Sequence, residues 1–398
     1  MKKEEDDQFK TVMVMKKPRG KDTIKVVDYS KTFNTPIKEK STKNNVYYFI
    51  GISTIFLIIQ TIIGISGHLM AFIFLFLNLG VIAVLGEYLM ESAEKLSVKL
   101  NISPFIIGLV LIPAFSSLPE DVVTVSMNLK DPSLGEIIFG QILVNNLFEL
   151  LVIFGLTGIL VCTFTNKCIE VEKKDRILIV RNGVILILSS LLLFFLVFFD
   201  GNLSFTDGIV LFMFYGVFIF ILILTNKFGI KEQENIIKEI NPEGENINGL
   251  KEFGLIVGLI ILILFFSDAF ANDTIFLIKE NAHFQRYSFI YIGIILAIPE
   301  LIITIVGFIK DKVDVTLGMV MGGAIYGLLI SIGVQAVVNP LNNISEVIIM
   351  ILIISTMVGM ITAVIYIRTE WTLKKWEGLL MMSTFIIIFI ILILYYNI

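Results

Sequence analysis

Stretches of about twenty or more residues with scarcely a charge recur along most of this 398-residue chain, and they leave few folds open. A bilayer core about 30 Å thick takes roughly 20 apolar residues to cross as a helix. Inside it, backbone N–H and C=O groups must be satisfied within the protein, so such runs fold as helices. On that criterion we count about eleven spans. They run roughly 46–66, 69–98, 103–129, 134–162, 176–199, 205–226, 250–281, 286–309, 315–338, 344–367 and 375–396. The two near thirty residues, 69–98 and 250–281, have to tilt or project from the bilayer. Composition agrees, at 56% hydrophobic and 17% charged residues, against about 45–50% and 25% in soluble domains. A water-soluble globular enzyme is excluded.

Other classes drop out on similar grounds. The net charge is −4, with no basic domain to meet a nucleic acid. Cys162 and Cys168 are too few for a disulfide framework or a thiolate zinc site. No P-loop, G-x-S-x-G, H-E-x-x-H or EF-hand pattern occurs, so ATP-driven pumping within this chain has no support.

Residues 1–45 alternate Lys, Glu and Asp without an apolar core and read as a flexible tail. The other long polar stretch, 227–249, contains the turn signal Asn241-Pro242-Glu243-Gly244 and reads as a linker between two halves. Lys38, Lys40 and Lys43 precede the first span, and every second loop after it is basic, as with Lys95 and Lys99 or Arg368, Lys374 and Lys375. The intervening loops hold only Lys130, Lys279 and Arg286. By the positive-inside rule the N-terminus, tail and linker are cytoplasmic and the C-terminus external, as an odd number of spans requires.

The chain also repeats itself. Leu118-Pro119-Glu120 with Thr124 and Lys130-Asp131 matches Ile298-Pro299-Glu300 with Thr304 and Lys310-Asp311. Leu147 to Gly155 likewise matches Ile325 to Gly333. Five spans per half is odd, so the halves lie in the membrane with opposite orientation. The expected fold is an all-α polytopic membrane protein of two inverted five-helix repeats plus one extra N-terminal transmembrane helix. Secondary transporters built this way hold their substrate near mid-membrane, between the repeats.

Glu120 and Glu300 each follow a proline near the centre of an expected span, where a charge costs a few kcal/mol. Each proline lacks an N–H and frees the carbonyl four residues earlier, those of Phe115 and Ile295. A freed carbonyl beside a carboxylate is a hard-oxygen site suited to Na⁺ or Ca²⁺. Ser116 and Ser117 share the helix face of Glu120, and Asn145 and Glu149 are four apart on the next helix. Glu87 and Asp268, in the two long helices, either line the ion path or face water in a vestibule. Glu91 and Glu94 read as solvated, His68 and His283 as bystanders near the surface, and Gly318, Gly322 and Gly323 as positions of close helix packing.

At these residues the chain resembles the cation/calcium antiporter superfamily, which includes the sodium/calcium exchangers. Ile106-Ile107-Gly108 through Ala114-Phe115-Ser116-Ser117-Leu118-Pro119-Glu120 looks like its first alpha-repeat, usually G-T-S-L-P-E. Gly140 to Glu149 sits where the family has G-N-x-x-G-S-N-x-x-N, and Pro299-Glu300 with Leu317 to Gly327 occupy the matching places of the second repeat. Asp200-Gly201, Asp207-Gly208 and Trp376-Glu377-Gly378 also look like prokaryotic members. The departures are Leu296-Ala297 in place of Thr-Ser, and Gly323 and Gly327 in place of a Ser and an Asn or acid. One carboxylate, Glu149, has in effect moved across the pseudo-symmetry.

The resemblance implies exchanger repeats at 69–226 and 250–398, with 46–66 as an added helix. It implies a secondary-active antiporter of the plasma membrane, not an enzyme, exchanging Ca²⁺ for Na⁺ by alternating access without a resident cofactor. Glu120 and Glu300 bind the divalent ion from opposite repeats. Ser116, Ser117, Asn145 and Glu149 complete that site or hold monovalent ions. Its partners are the transported cations and the lipid bilayer. Proton coupling or another cation on the same fold is one alternative; a non-transporting membrane sensor or scaffold is another.

Overall fold

A computed structural model describes residues 39–63, 67–99, 110, 112–164, 169–170, 176–226, 249–309, 313–368 and 372–397. The expected linker 227–249, but for Gly249, and most of the expected tail lie outside them. The chain divides into two units, Met1–Phe56 and Leu57–Ile398. The described part of the first is the beginning of helix α1 (Glu39–Ile63), which starts several residues before the expected end of the tail and leaves Tyr47, Tyr48, Ile52 and Ile55 exposed.

The described part of the second unit is almost wholly helical. In order it contains α2 (His68–Lys99), α3 (Ile112–Ser116), α4 (Leu118–Lys130), α5 (Gly135–Phe148), α6 (Phe154–Phe164), α7 (Arg176–Phe198) and α8 (Phe205–Asn226). There follow α9 (Gly249–Glu280), α10 (Ala282–Ile309), α11 (Val313–Tyr326), α12 (Ile332–Val338), α13 (Glu346–Arg368) and α14 (Lys375–Asn397). Among the described residues seven helices are long and apolar enough to cross a membrane, and Tyr47–Ile62, Phe284–Ile298 and Glu346–Gly359 are shorter apolar helices. The span expected at 103–129 lies partly outside the described residues, and its described part is broken at Ser117.

Hydropathy alone does not say which helices are central; burial does. In the most apolar 18-residue window within Pro132–Leu160, 89% of the residues are buried, against 22% in those within Phe205–Leu224 and Lys375–Leu394. On α8 and α14 large apolar side chains such as Met213, Phe220, Ile387 and Leu394 point outward, as lipid-facing surfaces do. The long helices α2 and α9 pack along each other, α5 packs on α10, and α7 on α13.

The last helix of each half docks on the other half, α14 against α6 and α8 against α12. Two glycine crossings set these contacts. A Cβ on Gly155 would lie 2.8 Å from the Gly378 carbonyl, and one on Gly208 would lie 2.9 Å from the Gly333 carbonyl. Only glycine allows backbones this close. Each docking helix starts with the same device: the Asp207 carboxylate accepts the Ser204 N–H at 2.7 Å, and the Glu377 carboxylate accepts the Lys374 N–H at 2.9 Å.

Two small antiparallel pairings join the halves at opposite ends of α7. Ile169–Glu170 pairs with Thr372–Leu373 at one end, and Leu203 bridges Leu341 at the other.

Candidate functional site

The sequence places Pro119 inside a helix, but the chain breaks just before it. Helix α3 ends at Ser116, Ser117 is a bend, and α4 begins at Leu118 with Pro119 in its first turn. Proline is tolerated there because its missing N–H is one that a helix start leaves unpaired anyway. At this bend the adjacent hydroxyls of Ser116 and Ser117, both buried, face the opposite half. Each lies 3.0 Å from Oε1 of Glu300 on α10. Ser116 also lies 3.1 Å from the Pro113 carbonyl, so its single proton serves one acceptor at a time. In α10, by contrast, Pro299 sits within one helix that continues to Ile309.

Glu120 points to its own half, where Oε2 accepts the Asn145 side-chain N–H at 2.8 Å. Its Oε1 is buried without a protein partner, as are Oδ1 of Asn145 and Oε2 of Glu149. Glu149 opens a five-residue π-helical turn, Glu149–Ile153, between α5 and α6. An equivalent turn, Gly327–Ser331, lies between α11 and α12. Such turns insert a residue into the helical ladder and are frequent at functional sites.

The glycines that depart from the family pattern prove to be spaces filled from across the molecule. A Cβ on Gly323 would lie 3.2 and 3.3 Å from the two carboxylate oxygens of Glu149. A Cβ on Gly327 would lie 2.8 Å from Oδ1 of Asn146. Glu149 and Glu300 face the same small space. They line one small cavity together with Ile153, Thr304, Met319 and Val320.

The six candidate side chains therefore form two linked groups, Glu300 with Ser116, Ser117 and Glu149, and Glu120 with Asn145. Among the described residues no three acidic, histidine or cysteine side chains converge on one point as a ready metal cage. Sequence reasoning matched Thr304 to Thr124 without placing it at the site, and it passed over Asn146. Thr304 lies four residues after Glu300 on the same helical face, a signal that was available. It also missed a buried polar seam that leads away from Glu120 along α4. Asp121 accepts from the Tyr326 hydroxyl at 2.7 Å, Asn128 donates to Gln335, and Asn339 donates to Asn128 at 2.9 Å.

The lesser candidates lie apart. Asp268 is ion-paired with Lys130 and accepts from Ser126, Glu91 pairs with Lys95, and Glu87 is exposed. His68 is exposed with its ring 6.0 Å from that of Phe276, whereas the side chains of Glu94, His283 and Gly318's surroundings lie outside the described residues.

Comparison with known proteins bears on this geometry. In sequence the chain is 26% identical over 276 residues to inner membrane protein YrbG of Escherichia coli (strain K12), covering 68% of this chain and 81% of that protein. It is 23% identical over 361 residues to the sodium/calcium exchanger MaX1 of Methanosarcina acetivorans, covering 80% and 98%. In structure it resembles the H⁺/Ca²⁺ exchanger CAX, with a TM-score of 0.69, 15% identity and 93% of each chain covered. The sodium/calcium exchanger from Methanococcus jannaschii superposes with a TM-score of 0.53 and 16% identity over 81% of this chain and 98% of that one. The profile described as "Sodium/calcium exchanger protein" matches residues 70–224 and 251–394, which take in both halves and all six candidate residues. This multi-span membrane protein belongs to the sodium/calcium exchanger protein family.

Proposed function

We propose that this chain is a secondary-active antiporter that moves Ca²⁺ out of the cell against entry of Na⁺. The reading rests on one observation above others: a carboxylate of the second half, Glu300, is met by Ser116 and Ser117 of the first and shares a cavity with its Glu149. Carboxylates, hydroxyls and an amide are the hard oxygens that Ca²⁺ and Na⁺ take. Glu120, Glu149 and Glu300 supply charge to the transported ion; Ser116, Ser117 and Asn145 complete its shell.

Donors from both halves make the site sensitive to how the halves sit together. Carboxylates left bare in an apolar surrounding are costly, so one ion leaves as another takes its place. Sliding of α2 and α9 against the Pro-Glu core opens the site to one side or the other, with 69–226 and 250–398 acting as the inverted repeats. The N-terminus and the linker 227–249 are cytoplasmic and the C-terminus external.

The experiment is ⁴⁵Ca²⁺ uptake into Na⁺-loaded proteoliposomes at clamped pH, with and without an outward Na⁺ gradient. Gradient-driven uptake is expected, and Glu120→Gln or Glu300→Gln abolishes it while the protein still elutes as a folded species. Wild-type rates in either variant overturn the assignment of the site.

A second reading has an observation of its own. Two carboxyl groups that share one small cavity, as Glu149 and Glu300 do, can take up a proton in place of a metal cation. That favours H⁺ as the counter-ion, and the relative CAX is named an H⁺/Ca²⁺ exchanger. In the same vesicles a pH gradient without Na⁺ then drives uptake, and a Na⁺ gradient alone does not.

A further inference from the structure

Asp273, on α9, is fully buried and stands outside the central cavity. Its Oδ2 accepts two side-chain N–H groups, from Asn78 of α2 at 2.8 Å and from Gln60 of α1 at 3.2 Å. Its Oδ1 has no partner, and neither do the amide oxygens Asn78 Oδ1 and Gln60 Oε1, all of them buried. Asn78 is 0% exposed and Gln60 8%. Gln60 lies outside the segments that the family profile matches.

A buried carboxylate without a cation is costly, and an ionisable group in a membrane-crossing helix calls for a partner. Among the described residues no ion pair reaches Asp273. An amide's oxygen and nitrogen are nearly the same size, so a half-turn of each side chain exchanges them. Turned in that way, Asn78 and Gln60 present two carbonyl oxygens beside the carboxylate in place of two N–H groups. One carboxylate and two neutral oxygens carry a single negative charge, which one singly charged ion cancels and a divalent ion exceeds. Hard oxygens of this kind suit an alkali cation.

We propose that Asp273, Asn78 and Gln60 form a second cation site, distinct from the central cavity, which holds one Na⁺ between α1, α2 and α9. The site is independent of the exchange reading, because it uses none of the central carboxylates.

The test uses the full chain in detergent with Glu120→Gln, Glu149→Gln and Glu300→Gln combined, so that no central carboxylate is left to bind Na⁺. Thermal unfolding is followed while NaCl replaces choline chloride at constant ionic strength and pH. A ligand that binds only the folded state raises the midpoint as it saturates. A saturable rise with Na⁺ is expected, and adding Asp273→Asn removes it. Gln60→Leu raises the half-saturating Na⁺ concentration roughly tenfold, the weight of one charge-assisted contact. No Na⁺-specific rise, or an unchanged rise with Asp273→Asn, overturns the site. A midpoint that follows pH but not Na⁺ also overturns it, since Asp273 is then simply protonated. Should the combined variant not fold, equilibrium ²²Na⁺ binding to the otherwise unaltered chain decides. Asp273→Asn removes one bound equivalent, and loss of none overturns the proposal.

Discussion

Gly323 and Glu149 are best understood as one position shared by two residues. The carboxylate of one half occupies the room that a side chain of the other would need. Gly323→Ala puts a Cβ where Glu149 must yield by a few tenths of an ångström. An off-rotamer side chain costs about 0.5–1.5 kcal/mol, so the half-saturating Ca²⁺ concentration rises roughly twofold to tenfold. Flux measured against Ca²⁺ concentration checks this, with the yield of folded protein unchanged; an unaltered affinity shows that Glu149 does not bind from where it stands. This exchange of places was half legible. The sequence shows an extra acid at Glu149 and two bare glycines, and spacing along single helices brings out Ser116, Ser117, Glu120 and Asn145. It does not show that Asn146 fills the space at Gly327, or that Gln60 reaches Asp273 across 213 positions. Contacts between helices follow from rotation and tilt, which hydropathy does not encode.

Helices here are less continuous than their apolar runs. The π turn at Glu149–Ile153 and the bend at Ser117 leave the composition of a span untouched, so counting apolar residues passes over both. The proline expected to interrupt a helix instead lies in the first turn of one, where its missing N–H leaves nothing unpaired, and the two serines before it hold their hydroxyls beside Glu300. The far end of α4 has its own tie to α9. Asp131 accepts from Ser133 and pairs with Lys279 at 2.7 Å, and Lys279, with help from Ser133, holds its carboxyl below the usual aspartate range. A carboxylate with a lowered folded-state pKa adds stability above its unfolded value, and that contribution is lost as the pH falls through the folded value. Lys279 is exposed and Asp131 partly so, and the contribution is below about 1 kcal/mol. Wild type should unfold at a slightly higher temperature than Asp131→Asn at pH 7. The gap should close in acid, below about pH 4; a gap that persists there places the effect elsewhere.

Across the whole molecule the halves are interlaced, by reciprocal docking of α14 on α6 and α8 on α12 and by strand pairings at both ends of α7. The all-helical membrane fold was legible because span length is a property of the chain alone. Which helices would be central was not, since α5 and α14 are about equally apolar and differ in what surrounds them. The proposed orientation has its own test. With Cys162 and Cys168 replaced by Ala, a cysteine at the C-terminus should react with a membrane-impermeant maleimide applied to intact cells, and one in the tail should not. The reverse pattern inverts the topology. Reciprocal docking also sets a timetable for biosynthesis. When α8 leaves the ribosome, the helix that will receive it is more than a hundred residues from being made, and α6 waits longer still for α14. Both are made before their partners in the other half, so the first half stays incompletely packed until the second has been synthesised.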